Sequence, residues 1–136
     1  MTDINAAISA AASGMRAQTV RMRLAAENVA NANSAGANPN EDPFRRRIPL
    51  LESTTLGSGA QGVRVTGAVF DMSAFREEFN PSHPAADERG YVQLPNVDTL
   101  VEMMDLREAT RAYEANLNMI EAARTMTTRA LELLRR

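Results

Sequence analysis

The chain has 136 residues, a formal charge of −2, 44% apolar but only 4% aromatic residues, and no cysteine. That is length for one domain, and because alanine supplies much of the apolar content, a large core of bulky side chains is excluded. The charge argues against a general nucleic-acid binder, and the missing cysteine removes disulfides, thiol nucleophiles and thiolate metal sites.

The first periodic segment runs over residues 2–33. Ile4, Ile8, Ala11, Met15, Gln18, Met22, Ala25 and Val29 repeat in four-three steps, which predicts a helix with one face carrying every sizeable apolar residue except Val20 and Leu24. That face is thin. Its five larger side chains contribute on the order of 10 kcal/mol if fully buried, against about 1–2 kcal/mol of backbone entropy for each ordered residue. The expectation is a helix that is mobile alone and ordered only against the C-terminal helix or other subunits. Gly14, beside Ser13, costs about 1 kcal/mol inside a helix; it reads either as a tolerated defect or as the close approach of a second helix. Asn28, Asn31 and Asn33, followed by Ser34, Gly36 and Pro39, mark a helix stop running into a loop.

From about residue 37 to 95 the grammar changes, with all six prolines and most of the glycines. Arg45–Leu51 reads as a short edge strand limited by Pro43 and Pro49, Gly62–Phe70 as a strand alternating through Val63, Val65 and Val69, and Gly90–Leu94 as a third. The run from Leu56 to Gly62 reads as a mobile loop. Together these predict a small, irregular β-containing insertion without a core of its own. No internal repeat is present.

Residues 97–136 predict one long helix, about 60 Å at 1.5 Å per residue. Met103, Leu106, Tyr113, Leu117, Ile120, Leu131 and Leu134 form a heptad stripe completed by Thr110, Arg124 and Thr127. A second stripe through Ala109, Ala112, Met119, Ala123, Met126, Ala130 and Leu133 widens the apolar face beyond a two-stranded seam. Asp98, Glu102, Asp105 and Glu108 crowd the first turns and Arg124, Arg129, Arg135 and Arg136 the last, complementing the helix dipole. The cap is either a Thr99/Glu102 box or Asn96. The expected architecture is mainly α: a coiled-coil-like pair of long terminal helices, in segments 1–36 and 96–136, around an irregular insertion, 37–95.

Little in the sequence supports chemistry. His83 is the only histidine, without a second ligand or dyad partner, and reads as a loop-ordering residue. Glu77–Glu78 and Asp87–Glu88 read as solvated surface, and no phosphate-binding glycine loop occurs. No catalytic, metal or cofactor residue is assigned, and no small-molecule substrate is expected. Arg45–Arg47 lacks interleaved aromatics, so inter-subunit pairing is expected over nucleic-acid contact. Residues 71–108 hold nine acids and three arginines, a local charge of −6, for which Arg16, Arg21 and Arg23 are the expected complement. No run of eighteen apolar residues occurs and the N-terminus lacks a basic stretch followed by an apolar core, so neither a spanning helix nor a cleaved signal peptide is expected.

Two blocks of residues are familiar. Ala10–Gln18 leading to Leu24–Ser34 resembles the N-terminal signature of flagellar rod, hook and hook-associated proteins. The block from His83-Pro84 through Gly90, Tyr91, Pro95, Asn96 and Asp98, with Arg111–Asn116 beyond it, is similar to the proximal-rod members of the flagellar basal-body rod family. The resemblance spans nearly the whole chain. It implies a non-enzymatic structural subunit of the basal body, polymerising with copies of itself and other rod proteins into a torque-transmitting tube that crosses the periplasmic space. It also implies export through the flagellar type III apparatus without a cleaved signal. The Asn28–Ser34 motif would cap the first helix and shape an inter-subunit contact, and Pro81–Asn96 would fix the start of the long helix. Ile4, Ile8, Met15, Met22 and Val29 on one helix and Leu106, Tyr113, Leu117, Ile120, Leu131 and Leu134 on the other are the expected packing residues. A free-standing coiled-coil adaptor and an Arg-dependent nucleic-acid binder are the alternative classes.

Overall fold

The two periodic segments become helices α1 (Thr2–Ala30) and α2 (Thr99–Leu134), which flank two small antiparallel sheets in a computed structural model that describes residues 2–136. The strands are β1 (Arg47–Thr55), β2 (Gln61–Phe70), β3 (Arg76–Phe79) and β4 (Tyr91–Leu94), paired β1 with β2 and β3 with β4. This is the predicted mainly α architecture; only Met1 of the expected first segment lies outside the described residues.

The 36 residues of α2 make a rod about 54 Å long. Its cap is Asp98, extended in its backbone, whose side-chain Oδ1 accepts the Leu100 and Val101 N–H groups, in place of Thr99 or Asn96. Glu102 is thereby released from the expected capping role and turns inward, 2% exposed.

The helices run antiparallel, with Asn28 beside Glu102, Met22 beside Thr110 and Gly14 beside Asn116. A Cβ at Gly14 would stand 2.8 Å from Asn116 Nδ2, so the glycine marks the close approach of a second helix. Small and polar residues occupy the centre of the α2 seam: Glu102, Ala109 and Ala123 are buried, Asn116 is half-buried, and Leu106, Tyr113, Ile120 and Thr127 alternate with them. Close packing admits small side chains at the middle and displaces large ones to the flanks, which is why Met103 and Leu117 remain exposed; Leu131 and Leu134 are exposed on the last turn of α2.

α1 has two working faces where its periodicity predicts one. Leu24, outside the predicted stripe, is 1% exposed and buried with Ser13 and Ala17, while Val20 lines a groove with Leu56, Val63 and Val65 of the β1–β2 hairpin. Ser13 Oγ donates to Ala10 O at 2.7 Å and accepts the Val63 N–H at 3.1 Å. Gly62 permits that approach, since a Cβ there would lie 2.7 Å from Ser13 Oγ. The hairpin and α2 therefore cover α1 from two directions within one chain.

β1 extends to Thr55, past the predicted end at Leu51, with a bulge between Leu50 and Leu51. Pro49 fits because β1 pairs on one side only. The glycine run is a tight turn, not a loose loop: Leu56 and Ala60 are bonded at 2.8 Å, as are Gly59 and Leu56, and Gly59 takes φ +79°. β3 was unpredicted because Arg-Glu-Glu-Phe has no apolar alternation; pairing with β4 defines it, with Phe79 and Tyr91 edge to face at 5.4 Å.

Candidate assembly surfaces

A polar junction holds the end of α1, the start of β1 and the start of α2 together. Buried Asn28 accepts the Arg47 N–H at 3.0 Å, donates to Arg47 O at 2.9 Å and reaches Glu102 Oε2 at 3.3 Å. Its amide thus mimics a strand partner and attaches β1 to α1. The Arg46 side chain bonds Glu102 and stands 3.4 Å from Asp71 and 3.6 Å from Asp105. Asn96 accepts the Arg46 N–H at 2.8 Å and donates to Asp71 O at 2.9 Å. Arg76 closes the far side on Pro95 O and Ala32 O.

Burial works against the Arg46 charge, but bonds to Glu102 and Asp71 outweigh it and hold the guanidinium above its ordinary pKa. Asp71 is held below the usual carboxylate range, first by the Ser73 N–H, then by the Ser73 hydroxyl and Arg46. Among the described residues no buried side-chain polar atom lacks a partner, and no cluster of acids and histidine has the makings of a metal site. What this arrangement does is fix three chain segments relative to one another.

Several sequence expectations change here. Asn28 bonds within the chain instead of capping α1; Asn31 does the capping, donating to Glu27 O at 2.9 Å, while Asn33 is exposed. Arg45–Arg47 find partners within the chain: Arg45 donates to Asp71 O and stacks 4.1 Å over Phe75, and Arg47 meets Glu27 at 3.2 Å. The main complement of the acidic stretch is Arg46; of the three helix arginines only Arg21 reaches it, 4.0 Å from Glu108. His83 accepts the Ala85 N–H at 3.0 Å and orders its loop, as expected, beside exposed Pro84. Gly90, at φ +84°, leaves no room for a Cβ against Phe79, and Pro95 is buried, while Asn96 is half-buried and Asp98 exposed. Ser13, Arg46, Asp71, Arg76 and Glu102 were missed as organising residues; the available signal was Glu102, a charge in register with Ala109, Asn116 and Ala123.

The predicted packing residues divide by exposure. Ile4, Ile8, Met15, Met22 and Val29 on α1 and Leu106, Tyr113 and Ile120 on α2 are half-buried, while Leu117, Leu131 and Leu134 are exposed. Val101, Met104, Met119, Met126 and Leu133 are exposed as well, on the other side of the seam from Leu117 and Leu131. No helix among the described residues is long and apolar enough to cross a membrane.

Comparison with known proteins matches residues 88–133 to the C-terminal family model of flagellar basal body rod FlgEFG proteins. The chain is 40% identical to the flagellar basal-body rod protein FlgC of Agrobacterium fabrum, over 99% of this chain and 98% of the relative. It is 37% identical to FlgC of Bacillus subtilis, over 93% and 95%, and 32% identical to FlgC of Escherichia coli O6:H1, over 90% and 92%. With such identity sustained from one end to the other, the chain belongs to the FlgC family of flagellar basal-body rod proteins.

Proposed function

We propose that the chain, a structural subunit of the flagellar basal-body proximal rod, joins copies of itself and other rod proteins through the apolar flanks of its helix pair. The observation that carries this is the run of exposed and half-exposed side chains along both helices. Ile4, Ile8, Met15, Met22 and Val29 form one flank, and Leu106, Tyr113, Leu117, Ile120, Leu131 and Leu134 the other. Burial in a helical tube would supply apolar contacts that a lone subunit lacks. Torque would pass along α2, which neither glycine nor proline interrupts. The insertion, 37–95, would sit outside the axial segments 1–36 and 96–136. The role is non-enzymatic, and the unfinished helix surfaces suit passage through the type III export apparatus before assembly.

Ile120→Asp tests the interface: expression is expected to persist while swimming and basal-body incorporation are lost. Normal motility of that variant would remove this flank from the assembly, and absence of the chain from purified basal bodies would remove the reading altogether.

A further inference from the structure

The seam between the helices repeats itself at heptad spacing. On α2 an inner row, Glu102, Ala109, Asn116, Ala123 and Ala130, alternates with a bulkier one, Leu106, Tyr113, Ile120, Thr127 and Leu134. Counting from Asn28 beside Glu102 and Gly14 beside Asn116 sets Ala25 level with Leu106, Met22 with Ala109, Ala11 with Ile120 and Ile8 with Ala123. Large meets small throughout. Slid by one heptad, about 10 Å, the seam keeps that rule: Val29 would meet Ala109, Ala25 Tyr113, Met15 Ala123 and Ile8 Ala130. Glu102 and Asn116 are the members of the inner row that are not alanine. Glu102 is 2% exposed and bonded to Asn28 and Arg46, while Asn116 fits against Gly14, where α1 has no side chain. A slide would part Glu102 from Asn28 and set Asn116 against Arg21. Ser13 and Asn28 fasten the hairpin to α1, so these travel together. Their one covalent link to β3, β4 and α2 is residues 71–75, a bent stretch that spans up to about 17 Å when extended. In the observed register Leu131 and Leu134, 48% and 83% exposed, lie beyond the first described residues of α1.

We propose that the helix pair has two registers one heptad apart, and that buried Glu102, with Asn116, selects the one that leaves the last turns of α2 bare. The apolar seam attracts in either register; polar groups that find their partners in one alone make the choice. In the slid register Ile4 and Ile8 would cover Leu134 and Ala130, while the bonds of Glu102 to Asn28 and Arg46 would be lost. The bare tip is thus set by a pin about 48 Å away along α2. The choice is made within a single chain and does not depend on the rod reading.

The chain contains no cysteine, so engineered pairs report register. In the purified chain under mild oxidation, Ile8→Cys/Ala123→Cys is expected to form an intramolecular disulfide. Ile8→Cys/Ala130→Cys should form little, since a bridge needs Cα atoms within about 7 Å. Adding Glu102→Ala/Asn116→Ala, which makes the inner row alanine throughout, should raise the second yield about tenfold and lower the first. Glu102→Ala/Ala109→Glu, which carries the carboxylate one heptad along to where Asn28 would then stand, should shift the yields furthest. Glu102→Gln keeps a hydrogen-bonding group in place and should leave the first pair dominant. Amide exchange on the same Glu102 variants without cysteines decides where a cysteine pair prevents folding. Leu131–Leu134 should exchange about tenfold more slowly and Asp105–Glu108 about tenfold faster than in the wild type. Yields and exchange that stay at wild-type values in both alanine variants overturn the proposal. So does loss of protection throughout both helices, because the seam would then hold neither register without its pin.

Discussion

The two halves of the helix pair are built to different standards. Around Asn28, Arg46 and Glu102, buried polar groups are paired and hairpin, loop and helix starts are tied by side-chain bonds. Toward the other end, α2 offers exposed leucines and arginines that join no ion pair among the described residues, and contact narrows to one small-residue seam. One half is finished in its polar pairing, with Leu100, Val101, Met103 and Met104 still exposed on its outer face; the other is held by the seam alone. Stability and assembly therefore reside in different residues, and substitutions should separate them.

The largest effect is expected at the junction. Arg46→Ala strands a carboxylate that is 2% exposed, and breaking a buried pair costs about 3–5 kcal/mol. Urea denaturation should show that loss, with much of it recovered in Arg46→Met/Glu102→Met. If the single variant unfolds at the wild-type midpoint, the junction is not what holds the finished half. Next is Gly14→Leu at the seam, where overpacking against Asn116 costs about 1–3 kcal/mol and should lower the thermal midpoint; an unchanged midpoint would mean that the helices separate freely there. Ser13→Ala removes the acceptor for the Val63 N–H and should cost about 1 kcal/mol, visible as faster amide exchange at Val63. In contrast, Leu133→Ser should change monomer stability by less than about 0.5 kcal/mol while impairing swimming.

A smaller pH effect falls on the finished half. The folded pKa of Asp71 lies below its ordinary value, so its contribution is fully present above that value and lost as pH falls through the folded one. Unfolding midpoints should decline through that acid window, and Asp71→Asn should flatten the decline.

Periodicity made the helices legible because each has a long uninterrupted repeat, and β2 because its valines alternate. Spacing could not show that α1 serves two neighbours, because Val20 and Leu24 fall outside its dominant stripe and acquire meaning only when the hairpin folds back. Nor did charge counting assign Arg46: its partners at 71, 102 and 105 are remote in sequence and local only in the fold. The glycine at 14 admitted two readings until Asn116 was placed opposite it.

Ser13 and Asn28 grip the β1–β2 hairpin at separate points, one on β2 and one on β1. Fifteen residues apart on α1, they stand about 22 Å from each other along its axis. A single rivet would let the hairpin swing about it. Two, spaced like this, resist both swivel and slip, so a twist applied to the helix pair carries the hairpin round with it.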